Sequence, residues 1–180
     1  MQNQRQILSD SDYRDWLQEH FVYSVELFSR SAELYARRKY DPDMVKDIPL
    51  HLEYWMIDMS LLQAFLTEFR NLYDFFYLPI PTNPRFFQDA RALDFYLQWK
   101  SACPIGSKFF TDSYEKVSPR LSHLTYKRKV QTDWKVLSLW NEMYEIVKVF
   151  LAYVPSSRKG DVAQRLAWLN GIQQAFLPYM

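Results

Sequence analysis

The densest set of chemically capable side chains runs Leu121-Ser122-His123-Leu124-Thr125-Tyr126-Lys127-Arg128-Lys129. It joins an imidazole to two hydroxyls, a phenol and three successive cations. Phosphate recognition uses these groups: cations supply charge, hydroxyls supply hydrogen bonds, and an imidazole moves a proton near neutral pH. Thr125, Lys127, Arg128 and Lys129 are therefore candidate phosphate contacts, Tyr126 a candidate stacking surface for a base, and His123 a candidate acid or base. The same cations also suit the negative end of a helix dipole with no ligand present.

A second set is Arg70, Asn71 and Asp74. Arg70 and Asp74 are four residues apart and face the same way as Gln63 and Thr67. On a solvated face such an ion pair contributes only about 0.3–0.5 kcal/mol. On a helix otherwise this apolar, the polar stripe could instead line a groove or face a basic segment. His20, His51 and His123 fall on separate predicted helices, and none forms a His-x-x-x-His or Glu-x-x-His pair, so no metal centre is expected. Cys103 stands alone before Pro104 in a predicted loop, with no neighbouring base to activate it, and reads as an inert thiol. A chain with 3 glycines and no GxGxxG or GxxxxGK[ST] offers no phosphate-cradling loop, and no cofactor is expected.

These side chains must be positioned by helices. Ile48 to Tyr77 reads as one long central helix of roughly 45 Å at ~1.5 Å per residue. Trp55, Met59, Leu62, Leu66, Phe69, Tyr73 and Phe76 mark one apolar seam, and Tyr54, Ile57, Leu61, Phe65 and Leu72 a second beside it. Asp47 and Pro49 suit its start, while Pro79, Pro81 and Pro84 end it. Before it, a helix is expected from about Ser11 to Arg38, with Trp16, Val25, Phe28, Leu34 and Tyr35 inward. After it come a shorter helix over Phe86–Trp99, with Phe87, Ala90, Leu93 and Leu97 inward, and a loop at Cys103-Pro104-Ile105-Gly106. Ser118-Pro119 reads as the cap of a short helix to about Tyr126. A long helix then runs from Thr132 to Tyr153 on a seam of Trp134, Leu137, Trp140, Tyr144, Val147 and Leu151. The last starts at Asp161 and turns Val162, Leu166, Leu169 and Phe176 inward, with a bend near Gly171. No stretch alternates as a strand does. The expected fold is all-α, a single helical domain over 1–180 bundled around the 48–77 helix, with 1–10 flexible.

With 180 residues, 48% hydrophobic and 18% aromatic, the chain can build a substantial core. The net charge of +1 does not itself point to nucleic acid, but it is unevenly spread. Residues 41–78 hold two Lys/Arg against seven Asp/Glu, and residues 107–135 hold seven against three. The two segments are expected to meet and neutralise each other. A lone cysteine excludes an internal disulfide, and neither an apolar leader nor an 18-residue apolar run is present. A cytoplasmic protein that does not enter a membrane is expected.

Phe69-Arg70-Asn71-Leu72-Tyr73-Asp74-Phe75-Phe76-Tyr77, followed by Leu93-Asp94-Phe95 and by Leu121-Ser122-His123-Leu124-Thr125-Tyr126-Lys127-Arg128, resembles a group of bacterial helical proteins of unknown function. The resemblance spans roughly residues 50–145 and implies a helical fold and a bacterial cytoplasmic setting. It brings no activity with it. More distantly, the chain is similar to the HEPN superfamily of helical nucleases and nucleic-acid-associated proteins. Active members there carry an Arg, often with Asn after it, and a His four to six residues on. Arg70-Asn71 matches the first half without the His, Arg14 to His20 has the spacing without the Asn, and Arg120 to His123 is too close.

Two functional expectations follow. The first is a non-enzymatic helical interaction module binding a protein partner or a second copy of itself, since interfaces favour Tyr, Trp, Phe and Arg. The alternative is a HEPN-like nucleic-acid-binding protein or ribonuclease, contacting RNA through the basic 120–129 segment with His123.

Overall fold

The structure is a computed structural model describing residues 8–40, 51–82, 89–121 and 134–176, with backbone alone at 51–55 and 118–121. Its described residues are helical, with no strand among them, so the fold is all-α. Helix α1 (Asp10–Trp16) passes through a π turn (Leu17–Phe21) into α2 (Val22–Tyr40), and α3 (His51–Tyr77) is the longest element. Two short helices, α4 (Ala92–Phe95) and α5 (Trp99–Ala102), lead to α6 (Lys108–Leu121) and α7 (Val136–Tyr153). The chain closes with α8 (Ser156–Lys159), α9 (Val162–Arg165) and α10 (Leu169–Phe176).

Local chemistry explains where α1 begins. Ser9 Oγ accepts the Asp12 N–H at 3.2 Å, and the Asp12 carboxylate accepts the Ser9 N–H at 2.9 Å, a reciprocal capping box. At the π turn the Val22 N–H donates to the Leu17 carbonyl, five residues back. This wider turn lets Leu17, Phe21, Val22 and Val25 all reach the core.

Helices α2 and α3 pack along each other in opposite directions. Phe28 stacks on Phe65 at 4.6 Å, Phe21 meets Phe76 edge-on at 6.0 Å, and Arg38 pairs with Asp58 at 2.5 Å near the far end. Against this pair lie α7 and α6. Phe150 of α7 touches Phe21, Phe75, Phe76, Phe95 and Trp99, which makes it the hub of an aromatic core. The buried indoles find partners for their N–H groups. Trp140 donates to Ser29 Oγ at 3.0 Å, and Trp99 donates to the Phe76 carbonyl at 2.8 Å, one of the acceptors left over where α3 ends.

The expected elements differ from the observed ones in instructive places. On α3 the apolar seams are fully buried only in the second half of the helix among the described side chains: Phe65, Leu66, Phe69, Leu72, Phe75 and Phe76 are covered, Leu61 and Leu62 are half-buried, and Met59 is 45% and Ile57 40% exposed. The aromatic contacts of α6 and α7 fall on residues 69–77, so the first half of the helix lacks those partners. Ser118-Pro119 does not open a helix, because α6 already runs from Lys108 through it to Leu121. The single helix expected over Phe86–Trp99 is interrupted at Tyr96, which takes an extended conformation after α4, and Leu97 is 82% exposed. The last helix breaks at 166–168, before Gly171, yet Val162, Leu166, Leu169 and Phe176 are all buried as expected. The seam of α7 is covered as expected, with Trp134 partly so. Asp47, Pro49, Phe87 and Thr132 lie outside the described residues.

Candidate functional site

The residues singled out by sequence divide between two faces of α3 and a stretch outside the described residues. His123, Thr125, Tyr126, Lys127, Arg128 and Lys129 belong to that stretch, so the basic 120–129 site is not described.

Arg70 and Asp74 face α6. The Tyr114 hydroxyl donates to Asp74 Oδ1 at 2.6 Å, and the Arg70 guanidinium lies 3.9 Å from Asp74, too far for a direct hydrogen bond but close enough for charge pairing. Burial first, and the bonded Asp74 carboxylate next, push the Tyr114 phenol up to about 12. Tyr114 also stacks on Tyr73 at 3.8 Å, and Tyr73 on Tyr77 at 4.6 Å. The Tyr77 hydroxyl donates to the Pro104 carbonyl at 2.9 Å. Thus α6, the described part of the 107–135 segment, packs on the acidic segment through a tyrosine ladder, while the Lys127-Arg128-Lys129 run lies outside the described residues. Cys103, at the lower end of this ladder, has its thiol pushed up to about 11 by burial, which keeps it protonated and a poor nucleophile.

Asn71 points elsewhere. One residue along a helix is a rotation of about 100°, and that turn takes Asn71 away from α6 toward α1 and α2. There it lines a cavity of about 210 Å³ with Trp16, His20, Phe21, Ser24, Leu72, Phe75 and Ala90. Its amide donates to Glu68 Oε2 at 3.3 Å, and Glu68 is a buried carboxylate only 7% exposed. Trp16 lies parallel to Phe75 at 5.6 Å and tilted against the His20 ring at 5.7 Å. The π turn helps build this wall. Residues four apart drift by about 40° around an ordinary α-helix, and a wider turn takes that drift back. Trp16, His20 and Ser24 therefore all border the same cavity.

The sequence offered His20 as one of three scattered histidines and as the partner in spacing of Arg14, with nothing to place it in one cavity with Asn71. A one-residue change of register between Trp16 and Ser24 has no marker in residue types. Arg14, at the HEPN-like spacing from His20, donates through Nε and a terminal nitrogen to the Ser157 carbonyl at 3.0 and 2.8 Å.

A larger open groove of about 340 Å³ lies between α7 and α9–α10, but alanine and aliphatic side chains dominate it. Its best-placed polar groups, the Tyr144 hydroxyl and Asn170, bond to each other at 2.7 Å. Among the described residues no three His, Cys, Asp or Glu side chains gather closely enough to hold a metal, and no helix is long and apolar enough to cross a membrane. No protein-family model, curated protein or solved structure matches this chain.

Proposed function

We propose that the protein is a non-enzymatic helical interaction module that pairs with a second copy of itself through the outer half of the α2–α3 hairpin. One observation carries this reading. Large apolar side chains of both helices are exposed in that half: Leu34 42% and Tyr40 44% on α2, Met56 61%, Ile57 40% and Met59 45% on α3. A single exposed apolar residue is ordinary, whereas three large ones within four residues of α3, Met56, Ile57 and Met59, have the composition of an interface. Methionine side chains adapt to an opposing surface more readily than branched ones.

The charges beside this patch are satisfied within the chain: Arg38 pairs with Asp58 across the hairpin and Arg37 with Glu33. Apolar contact is therefore left to carry the pairing, and a two-fold arrangement sets the same exposed side chains against each other. The lone cysteine suits a reducing cytoplasmic setting, and the likeness to bacterial helical proteins of unknown function fits a module that carries no chemistry of its own.

Mass measured by light scattering across a range of protein concentrations tests this. A dimer is expected at micromolar concentration, and Met56→Glu with Met59→Glu should return it to monomer without lowering the melting temperature, because neither side chain is in the core. A wild type that stays monomeric throughout refutes self-association. Salt-sensitive RNA binding, lost on replacing Lys127, Arg128 and Lys129 by alanine, would instead support the nucleic-acid reading, since phosphate contacts release counterions.

A further inference from the structure

The cavity between α1–α2 and α3 has a construction that self-association does not use. Its floor is apolar and aromatic, from Phe21, Leu72, Phe75 and the Trp16 ring. Its polar groups are few and of one kind: the His20 imidazole, the Ser24 hydroxyl and the Asn71 amide, each able both to donate and to accept. An apolar floor with a few convergent polar groups is the ordinary design of a small-molecule site.

The lining also limits what would fit. Among the described residues it contains no Lys, Arg, Asp or Glu, so neither a phosphate nor a strongly cationic group finds a counter-charge in them. At about 210 Å³ it is smaller than the ~300–1,000 Å³ of pockets that hold drug-sized ligands, which leaves room for one small ring system. The space lies between two helix rows, Trp16-His20-Ser24 on one side and Asn71-Leu72-Phe75 on the other, where the Trp16 and Phe75 rings lie parallel at 5.6 Å, and aromatic faces favour a planar ligand. Asn71 is held by its bond to buried Glu68, which uses one amide N–H. Its second N–H and its carbonyl make a donor beside an acceptor. A heterocycle with an amino group next to a ring nitrogen presents the matching pair, the edge by which an Asn amide recognises adenine.

We propose that the cavity bounded by Trp16, His20, Ser24 and Asn71 binds a small, uncharged planar heterocycle of the aminopurine type, seated on the aromatic floor and read along one edge by Asn71. The ligand is a free base, because the uncharged lining gives a phosphate no purchase.

Titration of the full chain with adenine, followed by calorimetry and by amide and indole NMR shifts, tests the proposal. Saturable binding of one adenine per chain is expected, with shifts concentrated at Trp16, His20, Ser24 and Asn71. Asn71→Ala should weaken it about 10-fold or more, the loss typical of a bidentate amide–base contact. This variant also removes the amide that bonds buried Glu68, so some loss of melting temperature is expected and binding is compared at a temperature where both proteins are fully folded. Hypoxanthine, which carries a carbonyl where adenine carries the amino group, should bind more weakly than adenine. No saturable shift up to millimolar adenine in folded wild type would overturn the site, as would shifts confined to other surfaces. Equal affinity in wild type and Asn71→Ala would overturn the edge recognition.

Discussion

At the scale of single residues, Arg158 does the most connecting. Its guanidinium donates to Asp10 Oδ1 at 2.7 Å and to the Asp94 and Phe95 carbonyls at 3.0 and 3.3 Å, and it lies over the Tyr13 ring at 4.7 Å. One side chain thus joins α8 to α1 and to the end of α4. Hydrogen bonds from charged groups contribute about 1.5–3 kcal/mol when their partners are shielded. Partial solvent contact reduces this, so Arg158→Ala is expected to lower the unfolding free energy by about 1–2 kcal/mol in a urea melt. The same contact sets a pH dependence. The Ser157 hydroxyl first, then the Arg158 guanidinium, hold the Asp10 carboxyl below its ordinary 3.8. A group whose folded value is depressed contributes stability above its unfolded value and loses it as the pH falls through the folded one. The acid limb of wild-type stability should therefore be steeper below pH 3.8 than that of Asp10→Asn, read from melts at successive pH values.

Among elements, the junction of α8 and α9 shows how a turn constrains a helix packed on it. Gly160 ends α8 at φ 57° and ψ −134°, a conformation that side chains with a Cβ avoid. A Cβ built there would also come within 2.7 Å of Gln18 Nε2 and 3.0 Å of the Arg14 side chain. Gln18 is committed, since it donates to Asp161 Oδ1 at 2.6 Å. Gly160→Ala is expected to cost about 1–3 kcal/mol and to lower the melting temperature, while Gly171→Ala, with nothing within 4 Å, should not. Helix α6 was harder to foresee from sequence. Ser107 Oγ accepts the Phe110 N–H at 3.1 Å, an N-terminal cap, and donates to Glu142 of α7 at 2.8 Å. Ser107 followed by Phe110, Tyr114 and Val117 at helical spacing carried the signal. Ser118-Pro119, a stronger cap in isolation, drew the boundary to the wrong place.

For the whole molecule, stability depends on one continuous aromatic core that every long helix enters. Leu66 is 4% exposed within it. Leu66→Asp would bury an unpaired carboxylate at a cost of several kcal/mol, against a typical total of about 5–15 kcal/mol. Loss of the cooperative thermal transition is expected, monitored by circular dichroism; a wild-type transition would place Leu66 outside the core.

The sequence alone determined the all-α class, the seam of α7 and the inward residues of α9 and α10, because those depend on periodicity within one segment. The expected charge pairing of 41–78 with 107–135 is another matter: α6 does pack on α3, but through Tyr114 on Tyr73 and Asp74, and the cationic run 127–129 lies outside the described residues. Only the tertiary structure decided that Ile57 and Met59 of the α3 seams stay exposed, since burial needs a partner and the aromatic contacts of α6 and α7 fall on residues 69–77. Only it decided that Asn71 turns from Arg70 and Asp74 to share a cavity with His20, because a π turn in another segment sets where His20 lies. Periodicity says which face a residue occupies; which element comes to that face is settled by packing between segments far apart in the chain.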